Sequence, residues 1–250
     1  KALELDPRFD LAARALASQG FFVAVVPFPG NLAITDPMRA NGVILAHPEI
    51  QRWAIGGHSL GGAAASIYAL ANPFGAIEGL ALWASYAAPG VDLTSTGLKV
   101  VDITASLDTV LDAAAYQAAQ AQLPADATRR AVLRGGNHAQ FGYYGDQAGD
   151  TPAAISREHQ HALAVGATAH LLHRLGVAAT DDVEDPFYAE VEAADVEFCA
   201  RAQRRLAGFS WWDLPLRDVD NTTYAFESDY VQSKPTFPAE GAAVAVTGYV

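Results

Sequence analysis

The sequence predicts an α/β fold, a mostly parallel sheet with helices on both faces, and three observations carry that prediction. Short apolar runs alternate along the chain with stretches of helical periodicity, the order that builds a parallel sheet from strand–helix–strand units. One of those runs, FFVAVVP at residues 21–27, is apolar at every position and rich in Val and Phe, as strands covered on both faces are. With 51% hydrophobic residues in a length of 250, the chain has enough apolar side chains for the core that such a sheet needs.

The elements follow in order. Residues 9–18 space their apolar positions helically and stop at Gly20, a residue suited to a helix end. After the strand at 21–27, further strands are expected at 53–56, 79–83, 99–104 and 130–133, with helices at 62–71, 109–122 and 155–175. These make up a core of residues 1–176. The stretch VAATDDVEDP at 177–186 breaks the pattern with acids and a proline and reads as a linker. Residues 187–250 form an accessory extension. Its helix at 187–206 carries a narrow apolar stripe (Val191, Ala194, Phe198, Ala202), followed by Trp-, Pro- and Thr-rich loops and short strands. The stripe suits docking, either over sheet surface of the core or against a second copy in a homodimer.

Charge and composition exclude several functions. The net charge is −12, from 28 acidic against 16 basic residues, and Lys1, Lys99 and Lys234 are the only lysines. An anionic surface without a basic cluster repels phosphate backbones, which argues against nucleic acid as a partner. No apolar run is long enough to span a bilayer, so the expectation is a soluble protein with no membrane span. No signal peptide stands at the front, yet the chain begins at Lys1 and not at a methionine. That suits a mature or trimmed product and leaves export and compartment open. Cys199 is the only cysteine, so no internal disulfide is expected.

The chemistry starts at Gly57-His58-Ser59-Leu60-Gly61, between an apolar strand and an alanine-rich helix. This is the context of the G-x-S-x-G elbow, in which the turn is so tight that the residues two before and two after the serine must be nearly without side chains. Strain at the serine lifts its hydroxyl clear of the sheet at the start of the next helix. There the Leu60 amide and the helix dipole face any developing oxyanion. The pattern is not a phosphate loop, because no lysine follows its glycines.

A nucleophilic serine needs a base, and the base needs an acid to orient it. His138 follows a strand in the loop Gly135-Gly136-Asn137-His138 and is the best base. His58 lies inside the elbow and reads as a packing residue. His159, His161, His170 and His173 share one helix; without a carboxylate or Cys to complete a metal site, they read as an exposed helix face. Asp108 follows the strand at 99–104 by a short turn and is the expected acid, with Asp112 as the second candidate. The chain order Ser59, Asp108, His138 matches the α/β-hydrolase arrangement.

Three segments then carry a resemblance: PFPGNLAITDP at 27–37, IGGHSLGGA at 55–63, and GGNHAQFGYYGDQAGD at 135–150. With them the chain resembles the α/β-hydrolase superfamily, and more narrowly a small bacterial branch related to dienelactone hydrolases, over residues 1–175. The resemblance implies an α/β-hydrolase fold, places the catalytic histidine in the third segment at His138, and has the acid follow a strand, as Asp108 does. Dienelactone hydrolases proper use a cysteine where this chain has Ser59, so their substrate does not carry over. The family also has strands before the first helix, and the loop after one of them supplies a second oxyanion amide. Here those strands are expected to be missing or reduced to residues 1–5, with Ala2 or Leu3 the weak candidate for that donor.

Asn31, at a strand end on the same edge, either contacts substrate or satisfies its own backbone. Tyr143, with Tyr144, Asp146 and Asp150, either lines a pocket, binds a cation or forms a solvated turn. Trp211 and Trp212 read as a core anchor of the extension, and Asn221-Thr222-Thr223 matches a glycosylation acceptor. The sequence therefore points to a serine hydrolase for a small ester or thioester, with a Ser-His-Asp triad and neither cofactor nor metal. The competing reading is a non-catalytic binding or scaffold protein that keeps the hydrolase fold.

Overall fold

The structure, a computed structural model, describes residues 11–175 and the backbone of 242–247. Its strands are β1 (Phe22–Val26), β2 (Arg52–His58), β3 (Ile77–Trp83), β4 (Lys99–Ala105), β5 (Thr128–Leu133) and β6 (Ala242–Thr247). The α-helices are α1 (Leu11–Ala17), α2 (Asn41–Ala46), α3 (Leu60–Ala71), α4 (Ala113–Ala119) and α5 (Arg157–His173). All strand pairs are parallel, in the order β1-β6-β2-β3-β4-β5.

Alternation along each strand divides the core in two, because successive side chains leave opposite faces of a pleated sheet. Ala54, Ala81, Trp83, Val101 and Ile103 point to one face, where α1 and α5 cover them. Trp53, Ile55, Leu80, Leu82 and Val100 point to the other, beneath α2 and α3. The two-faced burial read from the sequence holds for the central strands. It does not hold for β1, whose residues 22–25 are only half-buried, since β1 lies at the sheet's edge.

Element ends are fixed by side chains that satisfy backbone groups. Asn72 takes the left-handed conformation after α3, and its side-chain amide bonds both backbone groups of Ile77, which aims the chain into β3. The Asp112 carboxylate accepts the amides of Ala114 and Ala115, both at 2.9 Å, and so caps α4. For this reason α4 starts at Ala113 and not at 109 as the periodicity suggested. It also gives Asp112, the second candidate acid, a structural task.

The strand β6 departs most from the sequence reading. Ala242–Thr247, assigned to an accessory extension, is a strand inside the sheet, with Val244 level with Val23 of β1 on one side and Ala54 of β2 on the other. The core therefore takes in residues 242–247 as well as the first part of the chain. The expected strand remnant at 1–5, the linker at 177–186, the helix at 187–206, the Trp211-Trp212 pair and Asn221 lie outside the described residues.

Among the described strands β1 pairs only with β6, so its place in the sheet depends on that strand. Proline removes a ladder hydrogen bond and is not tolerated in a strand with neighbours on both sides. Val244→Pro is therefore expected to lower the melting temperature by on the order of 10 °C, or to drive the protein into aggregates. A thermal melt identical to wild type would remove β6 from the sheet.

Candidate active site

Parallel strands bring their C-terminal ends to one edge, and the three chemical residues all follow such ends. Ser59 follows β2, Asp108 follows β4 by three residues, and His138 lies five residues after β5.

Ser59 has φ 53° and ψ −125°, a left-handed conformation that costs a non-glycine residue ~1–3 kcal/mol. Its amide donates to Trp83 O at 3.0 Å. Its carbonyl accepts from the Gly62 amide at 3.0 Å and from the Ser85 hydroxyl at 2.7 Å. The glycines are demanded by contact: a Cβ on Gly57 would stand 2.4 Å from the Gly61 carbonyl carbon, and one on Gly62 would stand 2.4 Å from Ser85 Oγ. The Leu60 amide is the first of α3 and is taken up by no described residue, as an oxyanion donor's must be.

The loops that carry Asp108 and His138 are bonded to each other before these side chains meet. Leu107 N donates to Gly136 O at 2.9 Å, and Ser106 N donates to Leu133 O at 3.0 Å. Asp108 Oδ2 then accepts from His138 Nδ1 at 2.8 Å, with both side chains 2% exposed. Asp108 Oδ1 is held by the amides of Val110 and Leu111 at 2.9 and 2.8 Å. With the proton on Nδ1, the lone pair lies on Nε2, which is buried and has no hydrogen-bond partner among the described residues. The Ser59 hydroxyl also has no partner among the described residues. The His58 ring, from the elbow, lies against the His138 ring with centroids 4.6 Å apart.

A family model described as "Alpha/beta hydrolase family" matches residues 7–162 of the sequence. The chain belongs to the alpha/beta hydrolase family. Four chains of solved structures also match. They include the crystal structure of a predicted CIB-like hydrolase from Thermoplasma acidophilum, which is 17% identical with a TM-score of 0.40. The match covers 56% of this chain and 62% of that one, so the chain spans less than two thirds of that neighbour's length. No curated protein matches the sequence.

Several side chains near Ser59, Asp108 and His138 have tasks that the sequence did not reveal. Asp150 joins the loops that carry Asp108 and His138: it accepts from Ala139 N at 2.8 Å and from Thr109 N at 3.4 Å. Gln160, which the sequence reading passed over, is fully buried and bonds the backbone of Asn137. Neither has a local signature, because the partner in each case is main chain that is distant in sequence.

Tyr143 packs its ring against His161 at 5.0 Å and beneath the Arg157 guanidinium at 5.1 Å. Asn31 closes a short turn after β1 with φ 57°, its amide donating to Phe28 O. Ala2 and Leu3 lie outside the described residues. The exposed histidine face expected on α5 holds in part: His173 is exposed and His159 and His170 are half-buried, but His161 is 1% exposed because its side of α5 lies on the sheet. Among the described residues, no group of three or more His, Cys, Asp or Glu is placed to hold a metal ion. No described helix is long and apolar enough to cross a membrane.

Burial pushes the His58 ring well below the ordinary imidazole range, and the His138 and His161 rings push it the same way. Burial also lowers His161, to about 4, with the Arg157 charge adding to the shift. In the unfolded chain both rings titrate near ~6.5, so below that pH the unfolded state takes up protons that the native state refuses. Stability should therefore fall as the pH drops from about 6.5 towards 4, by about 3 kcal/mol for His161 alone. Buried Asp102, whose carboxyl is raised by desolvation, works in the opposite sense. Urea midpoints measured from pH 7 to pH 5 should decrease, and His161→Phe should flatten the decrease. A midpoint that holds or rises over that range would contradict this account.

Proposed function

We propose that this hydrolase cleaves a small carboxylic ester or thioester through an acyl-enzyme, with Ser59 as nucleophile, His138 as base and Asp108 as the orienting acid. The reading rests on one observation above the others: a buried 2.8 Å His138–Asp108 pair stands at the sheet edge where Ser59 is held in a strained turn. Ser59 Oγ attacks the acyl carbon while His138 Nε2 accepts its proton and passes it to the leaving alcohol or thiol. Asp108 holds the imidazole in the tautomer that leaves Nε2 basic. The Leu60 amide, at the positive end of α3, receives the oxyanion. Water then attacks the acyl-enzyme with the same base, releasing the acid and restoring Ser59. No step calls for a cofactor or metal.

The finer kinship, with the branch related to dienelactone hydrolases, is supported by the segments at 27–37, 55–63 and 135–150. A non-catalytic scaffold is favoured by one fact: no hydrogen bond joins Ser59 Oγ to His138 Nε2. Such bonds are often long before substrate arrives and tighten in the complex. A fluorophosphonate probe separates the two readings. The enzyme should gain one covalent adduct, on Ser59 by peptide mass spectrometry, and should hydrolyse short p-nitrophenyl esters. An unlabelled, inactive but folded protein would support the scaffold.

A further inference from the structure

We propose that Gln160 is a positioning residue for the catalytic base: from the interior of α5, its amide sets the backbone of Asn137 and with it the place of the His138 ring. This rests on the reading of His138 as the base. Gln160 is 0% exposed and lies in a stretch of α5 where Ala162, Leu163, Ala164 and Val165 are also buried. An apolar residue of the same volume would suit that setting, and a buried amide without partners would be costly. The reason for a glutamine is its bonding. Oε1 accepts from Asn137 N at 3.0 Å and Nε2 donates to Asn137 O at 2.7 Å, so one side chain holds both main-chain groups of one residue, as a neighbouring strand would.

The loop is shaped to admit this contact. A Cβ on Gly136 would stand 2.6 Å from Gln160 Oε1, so a side chain there would push the loop off the amide. Asn137 passes the constraint on, because its Nδ2 donates to Thr151 O at 2.8 Å and its Oδ1 accepts from Gln140 N at 3.0 Å. His138 therefore stands between two main-chain points, residues 137 and 140, both tied directly or through Asn137 to Gln160. Its ring must bond Asp108 with Nδ1 and meet Ser59 with Nε2, and a misplacement of ~1 Å costs about 100-fold in rate.

The test is made on the full chain with Gln160→Leu, which keeps the volume and removes both bonds, and with Gln160→Glu, which keeps the acceptor. A proton on Nδ1 bonded to a carboxylate gives a far-downfield NMR signal, assigned here by its loss in Asp108→Asn. In Gln160→Leu that signal should shift or broaden, and kcat should fall about 100-fold with KM within about threefold. Gln160→Glu should recover part of the loss. Wild-type kcat with an unchanged signal in Gln160→Leu would overturn the proposal, as would a kcat loss accompanied only by a lower melting temperature and an unchanged signal. If Gln160→Leu does not fold, Gly136→Ala displaces the same loop, and full activity in that variant overturns the proposal. Should the wild type fail to react with fluorophosphonate, the hydrolase reading falls, while the NMR signal still decides whether Gln160 positions His138.

Discussion

Ser59→Ala is expected to lower kcat/KM on a short p-nitrophenyl ester by about 10⁴-fold or more, with the fold intact. The loss is large because, in the proposed mechanism, the hydroxyl is the attacking atom and alanine offers none. The fold should survive because alanine removes no hydrogen bond: the interactions that hold residue 59 run through its amide to Trp83 and its carbonyl to Gly62 and Ser85. Residual hydrolysis by water in the remaining oxyanion site sets the floor. Retention of a tenth of wild-type turnover would remove Ser59 as the nucleophile.

Asp108→Asn should cost about 10⁴-fold in kcat, by a different route. The volume is unchanged, and the Asn oxygen can still take the amides of Val110 and Leu111. The nitrogen, however, is then turned towards His138 Nδ1 and favours the tautomer with its proton on Nε2, which cannot accept from Ser59. Asp112→Asn is the control. Asparagine caps a helix about as well as aspartate, so α4 and turnover should both be nearly unaffected. Equal losses in the two variants, or the larger loss at Asp112, would reassign the acid.

Most of the site's outline was legible because its constraints are local. A tight turn between strand and helix leaves a pattern within a few residues, and Gly57, Ser59 and Gly61 carry it. Asp108 and His138, the proposed acid and base, were picked out by chain order and by their place just past strand ends, and the structure brings them within 2.8 Å of each other. Gln160 and Asp150 were not, since a side chain that bonds distant main chain leaves no periodicity or spacing to read. His161 was misread because α5 is buried along most of its length, so polarity at one position says little about exposure. The strand β6 shows a general limit. A run such as AAVAVT reads as a short strand, but strand pairing is non-local, and nothing in the six residues says that they lie between β1 and β2.

The position of β6 also sets an order of events during synthesis. Both of its partners, β1 and β2, leave the ribosome long before it does, because α3, α4, α5 and three more strands come between β2 and β6. At ~5–20 residues per second, the facing edges of β1 and β2 wait roughly ten seconds or more for the strand that joins them. During that interval the nascent chain presents two unpaired strand edges, which other extended chains can add to. Chaperone demand and inclusion-body formation in this protein should therefore depend on how fast residues 176–241 are translated.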